Sequence, residues 1–83
     1  MEKRAAVLAI IVKDGDSVAA LNELLHQYGS YIICRMGVPY RERNMNIISV
    51  ALDAPANIIS ALSGKIGNLP GISVKTAYSG VKG

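Results

Sequence analysis

The sequence has few of the residues that form metal sites and disulfides: one cysteine, Cys34, and one histidine, His26. A single cysteine excludes a disulfide within the chain and fits a reducing compartment, so we expect a cytoplasmic protein. One thiol and one imidazole cannot by themselves supply the several ligands of a transition-metal site, so we expect no metal. Cys34 is therefore predicted to be a small core residue, and His26 a surface residue.

Tryptophan and phenylalanine are absent, so the core has to be built from aliphatic side chains. Long hydrophobic runs are absent as well. The apolar run at 5–12 is too short to cross a bilayer, and we expect no membrane span. It is followed by the charged turn at 13–16 without a small-residue cleavage site, which argues against a signal peptide. This run is better interpreted as a buried strand.

Charge of one sign is not concentrated anywhere in the chain. The nine lysines and arginines are dispersed and the formal net charge is +3, which argues against a nucleic-acid-binding tail. Catalytic patterns are missing too: there is no second histidine, no nucleophile beside a base and no evident pair of carboxylates. We therefore expect no enzymatic activity and no cofactor.

Apolar residues are what the chain does have. They make up 51% of its 83 residues, and the mean hydropathy is +0.30. So short a chain forms one small domain, and small domains need proportionally more polar surface than large ones. The surplus of apolar residues predicts that part of the surface is covered by other copies of the chain.

Hydrophobic periodicity predicts a β-α-β-β-α-β order. The predicted strands are 5–12, 31–38, 45–52 and 72–78, the helices are 17–28 and a segment from Asp53–Pro55 to Gly67, and 79–83 is expected to be a flexible tail. This order is typical of an α+β, ferredoxin-like sandwich of the ACT-like type, with a four-stranded antiparallel sheet and both helices on one face. Residues 1–83 then form a single domain.

The first and third strands are expected at the centre of this sheet, and both carry apolar residues on their two faces. Two helices can cover only one face, so the other would be a large apolar surface in a monomer. We expect a second sheet to pack there, giving a homo-oligomer that is a dimer or a tetramer. On the second strand, strict alternation predicts that Cys34, Met36 and Val38 face the helices and that Arg35 lies on the opposite face.

Two segments carry a resemblance to a known family: R-x-G-x-P-x-R-x-x-N-M at 35–45 and L-S-G-K-I-G-x-L-x-G-I-S-V-K-T at 62–76. Their residues and spacing resemble those of the iron-only hydrogenase system regulators, and the likeness covers nearly the whole chain. The resemblance implies an ACT-like fold, similar to the ligand-sensing half of nickel-responsive regulators. It also implies a regulatory protein that binds a small effector at a subunit interface or docks on a partner protein.

The turn after the first strand, formed by Lys13, Asp14, Gly15, Asp16 and Ser17, is the candidate effector site. In ACT domains this turn binds amino acids between subunits, so the resemblance implies the same location here. Exposed amide groups at a helix start would attract a carboxylate. The structural alternative is a glycine turn followed by a helix that Asp16 caps.

Arg35, Arg41 and Arg43 are the candidate residues for docking or for inter-subunit contact. All three belong to the connection between the second and third strands. One alternative function is a DNA-binding regulator that uses these arginines on phosphates, although Glu42 interrupts the group and no attached DNA-binding module is expected. Another alternative is a metal-responsive sensor related to the nickel regulators.

Overall fold

The computed structural model of the protein describes residues 2–79, and these confirm the predicted order of elements. The elements are β1 (Lys3–Val12), α1 (Val18–Gln27), β2 (Ile32–Tyr40), β3 (Met45–Pro55), α2 (Ala56–Gly67) and β4 (Ile72–Tyr78), with 3-10 turns at Gly15–Ser17, Gly29–Tyr31 and Arg41–Arg43. No helix in this range is long and apolar enough to cross a membrane. Of the tail predicted at 79–83, the Ser79 amide donates to the Ala5 carbonyl at 2.9 Å, and 80–83 lie outside the described residues.

The four strands form one antiparallel sheet in the order β2-β3-β1-β4. This places β1 and β3 at the centre, as the sequence predicts. Their pairing is long and regular, from Lys3 opposite Pro55 to Val12 opposite Asn46. The α+β, ferredoxin-like fold is therefore confirmed.

Alternate residues of the two central strands form a core with both helices. The largest fully buried side chains are Leu8, Ile10 and Val12 of β1, Val50 and Leu52 of β3, Leu21 of α1, and Ile59, Leu62 and Ile66 of α2. All of them are aliphatic, as the missing tryptophan and phenylalanine require. Burying each such side chain stabilises the fold by about 1.5–3 kcal/mol before the conformational entropy is subtracted.

The third strand extends further than the sequence predicts. Asp53–Pro55 was predicted to start the second helix, but β3 continues through Pro55 and α2 begins at Ala56. The reason is that β1 begins at Lys3, two residues before the predicted start at 5, and pairs with these residues. Ala54 is fully buried, so packing adds to the pairing.

A bulge in β2 breaks the strict alternation assumed from the sequence. Ile32 pairs with Leu52, and the next pair along the strands joins Cys34 to Ala51. Ile33 is therefore an extra residue without a partner in β3. Because side chains alternate along a strand, one extra residue moves every later side chain to the other face of the sheet.

This reversal makes the predictions for the side chains after the bulge wrong. Cys34 is not a core residue: it is exposed on the face without helices, together with Met36 and Val38. Arg35 lies on the helix side, where its Nη2 donates to the Asn22 side-chain oxygen at 3.0 Å. The face predicted for Arg35 is therefore also wrong.

Candidate functional site

The face of the sheet opposite the helices, called the open face below, carries apolar residues on all four strands, together with the polar or charged Ser49, Asp53, Ser73 and Lys75. Its apolar residues are Ala5, Val7, Ala9 and Ile11 of β1, Ile33, Cys34, Met36 and Val38 of β2, Ile47 and Ala51 of β3, and Ala77 of β4. In the described chain no second layer of protein covers this face. An exposed apolar surface of this kind usually marks an interaction site.

The most exposed part of the open face is the edge strand β2. Ile33, Met36 and Val38 have 65%, 69% and 60% of their surface exposed. The central strands contribute Val7 and Ile47, which are 41% and 43% exposed. The sequence predicts the contributions of β1 and β3 but assigns Cys34, Met36 and Val38 of β2 to the core, because the run Tyr-Ile-Ile-Cys contains no polar residue that would signal the bulge.

One end of the open face is hollowed into a shallow apolar cavity of about 260 Å³. Val7, Ile33, Ala77 and Tyr78 are among the residues that line it. The guanidinium carbon of Arg4 lies 4.5 Å from the centre of the Tyr78 ring, a cation–π contact on the helix side of the sheet, because Arg4 and Tyr78 pair with the buried Ala54 and Ala6. The cavity itself has room for an apolar side chain.

The predicted effector turn is engaged in local hydrogen bonds. The Asp14 carboxylate accepts from the Asp16 amide at 3.0 Å, and the Asp14 carbonyl accepts from the Ser17 amide at 3.0 Å. Asp16 was predicted to cap the helix, but its side chain has no such role here: Asp14 caps the 3-10 turn and Ser17 precedes α1. The prediction for Asp16 is wrong because the 3-10 turn moves the cap two residues earlier.

The same turn is joined to the turn before β4. The Ser17 hydroxyl, in a buried side chain, donates to the Pro70 carbonyl at 2.6 Å, and the Lys13 amide donates to the Gly71 carbonyl at 2.7 Å. Gly71 has a φ of 70° and passes directly against Asp14. The Lys13 amide, the Ser17 hydroxyl and the packing of Asp14 therefore connect the two turns, while the Lys13 side chain, Gly15 and Asp16 are exposed. Effector binding at 13–17 stays a prediction.

The three arginines of the β2–β3 connection do not form one surface. Arg41 and Arg43 lie in the exposed 3-10 turn at the tip, which ends at Asn44 in the left-handed conformation with a φ of 53°. Arg35 lies five residues before the end of β2 and faces α1. Their docking role stays a prediction.

The imidazole and the thiol lie on opposite sides of the sheet. His26 is exposed near the end of α1, and Cys34 is exposed on the open face. Over residues 2–79, no three or more His, Cys, Asp and Glu side chains group together in a way that could hold a metal ion.

The interior of the described chain offers no unpaired polar side chain around which a buried site could form. The buried Ser17 has its partner, as above. The features that could bind another molecule are therefore on the surface, and the open face is the largest of them.

The comparisons with solved structures extend over most of the chain. The uncharacterized protein TM1266 from Thermotoga maritima has 41% sequence identity and a TM-score of 0.91, covering 95% of this chain and 100% of that chain. A formyltetrahydrofolate deformylase from Pseudomonas putida KT2440 has a TM-score of 0.63 over 88% of this chain and 28% of that chain. Its 13% identity shows a likeness in fold alone.

A search of curated proteins gives no match. The model of the TM1266-like family, described as the iron-only hydrogenase system regulators, matches residues 4–76, which is most of the described chain. The two segments that carry the resemblance in the sequence, 35–45 and 62–76, fall inside this match. The chain therefore belongs to the TM1266-like family of iron-only hydrogenase system regulators.

Proposed function

We propose that this chain is a non-enzymatic regulatory protein of the iron-only hydrogenase system that acts as a homo-oligomer, with two chains packed open face to open face. The observation that carries the assembly is the set of exposed apolar side chains on that face. The family description supplies the hydrogenase system and the regulatory role. A partner or effector would then act by favouring or opposing the assembled form.

The size of the open face fits a stable dimer. Strands lie about 4.8 Å apart and rise roughly 3.3 Å per residue, so this sheet covers on the order of 600 Å² in projection. Side chains add to that area, and a standard interface buries roughly 800 Å² per partner. The four strands of one copy therefore supply about the area that a specific dimer needs.

The shape of the open face also suits a second copy. Long side chains, those of Ile33, Met36 and Val38, project from the edge strand β2, whereas alanines such as Ala9 and Ala77 lie on β1 and β4. In a two-fold arrangement the same patch is used twice. The ridge of one copy can then fill the hollow of the other, and the cavity beside Tyr78 can receive a side chain.

A charge at the centre of the open face is expected to separate the subunits. Val7 lies between Ala51 and Ala77 on the neighbouring strands, and its exposure lets a monomer accept Glu there. In the dimer, V7E would bury two carboxylates between the sheets, so the dissociation constant should rise by about a hundredfold or more. Sedimentation equilibrium measures this constant.

The matched control is Ala61→Glu, which places the same charge on an exposed position of α2. This variant should keep the assembly of the parent protein. A parent protein that is monomeric at all accessible concentrations would contradict the assembly. So would a V7E protein that associates as tightly as A61E.

The regulatory half of the proposal is tested in a host that carries an iron-only hydrogenase. Hydrogenase transcript and activity are compared between the parent strain, a deletion, V7E and A61E. The deletion and V7E should change both quantities in the same direction, and A61E should leave them as in the parent. Unchanged values in the deletion would contradict the regulatory role, whereas a change in the deletion alone would separate regulation from assembly.

A further inference from the structure

A second pocket lies on the helix side of the sheet, between α1 and the part of β2 that follows the bulge. Its volume is about 240 Å³. The side chains that matter for its chemistry are the polar Asn22, Arg35 and Asn46 and the apolar Val18, Pro39 and Ile48. Its polar side chains lie on the opposite face of the sheet from the assembly surface, and of the residues that line it only Val38 also belongs to the open face.

The polar part of this pocket is suited to an anion. Arg35 is the one charged residue among those that line the pocket in the described chain. Its guanidinium donates one hydrogen bond to the Asn22 side-chain oxygen at 3.0 Å, which orients the group. A guanidinium has five N–H donors, so several remain, and the amide N–H groups of Asn22 and Asn46 add to them.

The donor set favours a carboxylate over other anions. A planar guanidinium matches the two oxygens of a carboxylate in a bidentate pair. A phosphate dianion would leave net negative charge against a single arginine. A free amino acid is also disfavoured, since no Asp or Glu lines the described pocket to pair with its ammonium group.

The apolar part of the pocket limits the rest of the ligand. Val18 and Pro39 form walls, and the nearly buried Ile48 forms the floor. The volume is many times what a single water molecule needs. That space holds a carboxylate with a short aliphatic chain.

Two features of β2 create this pocket. The bulge at Ile33 turns Arg35 toward α1, as shown above. Gly37 has no side chain and so leaves space over β3. A Cβ atom added at this position would lie 3.6 Å from the Ile48 side chain, which is an ordinary contact. A larger side chain at 37 would therefore occupy the pocket without disturbing the strand.

We propose that this pocket binds a small aliphatic monocarboxylate, with the carboxylate on Arg35 and the amides of Asn22 and Asn46, and the aliphatic part against Val18, Pro39 and Ile48. The probe is sodium isovalerate, titrated at constant ionic strength into isotope-labelled protein and followed by amide NMR. Its neutral amide, isovaleramide, has the same shape without the charge. Inorganic phosphate tests for general anion binding.

Isovalerate should shift the amides at the start of α1 and along 35–38, with saturation. Arg35→Gln should weaken binding about tenfold or more, because a charge-assisted pair is lost. Gly37→Val should abolish binding by filling the pocket while Arg35 remains. Arg41→Gln removes the same charge from the hairpin tip and should bind as the parent does. The monomeric V7E variant should also bind, which separates this site from the assembly.

The proposal would be overturned by the absence of saturable shifts with isovalerate, by equal binding of isovaleramide, or by equal binding of inorganic phosphate at the same residues. Undiminished binding by both R35Q and G37V, in spectra that show folded protein, would also overturn it.

Discussion

Gly71→Ala is expected to lower the free energy of unfolding by about 2–5 kcal/mol, and Gly64→Ala is expected to raise it. The same methyl group is added in both variants. At Gly71 the backbone has a φ of 70°, which L-residues with a Cβ rarely adopt. At Gly64, inside α2, a Cβ would meet nothing within 4 Å.

Two physical effects add at Gly71. The left-handed conformation costs a residue with a Cβ about 1–2 kcal/mol. A Cβ at 71 would also overlap the Cβ of Asp14 and lie 3.0 Å from the Asp14 backbone nitrogen. Neither atom can move without opening the contact between the two turns. At Gly64 the change replaces a poor helix former by the best one, a gain of about 0.5–1 kcal/mol.

Urea unfolding followed by far-ultraviolet circular dichroism measures both changes, since the chain has no tryptophan to report on unfolding. Gly71→Asn separates the two effects, because asparagine tolerates the left-handed conformation but still carries a Cβ. If the overlap with Asp14 dominates, G71N and G71A should be destabilised alike. A G71A protein as stable as the parent would contradict the packing of the two turns.

The order of elements could be predicted from the sequence because hydrophobic periodicity is a local property. Each strand and helix of this chain has its own pattern, and the antiparallel pairing of β1 with β3 follows from the order alone. The residues at which the strands and helices begin and end were harder to predict. Asp53–Pro55 has the composition of a helix start, but pairing with β1 and the burial of Ala54 keep it in β3.

The faces of β2 could not be predicted, because a bulge is decided by the partner strand. In the segment 31–36 a regular strand would bury Cys34 and Met36 and would expose Arg35 on the open face. The structure instead leaves Ile33 unpaired, which gives the open face four apolar residues in β2 and turns Arg35 toward α1. Without that one residue, Arg35 would lie on the assembly surface and the carboxylate pocket would lose its cation.

The second large effect is expected in β1, where adjacent residues belong to opposite faces of the sheet. Leu8 is fully buried between the sheet and the helices, and Val7 is 41% exposed on the open face. Leu8→Ala leaves a cavity in the core and should lower the free energy of unfolding by about 2–5 kcal/mol. Val7→Ala should cost less than about 1 kcal/mol in a monomer, since much of its side chain is already in water.

Protein concentration distinguishes the two positions. The core around Leu8 is complete within one chain. Most of the unfolding free energy that Leu8→Ala loses should therefore also be lost in dilute protein. Assembly through the open face adds stability by mass action, and Val7→Ala weakens that contribution. The loss in Val7→Ala should therefore be small in dilute protein and should grow when the concentration rises about a hundredfold. A Val7→Ala loss that does not change with concentration would contradict burial of the open face by a second copy, and an Leu8→Ala loss below about 1 kcal/mol would contradict the core described here.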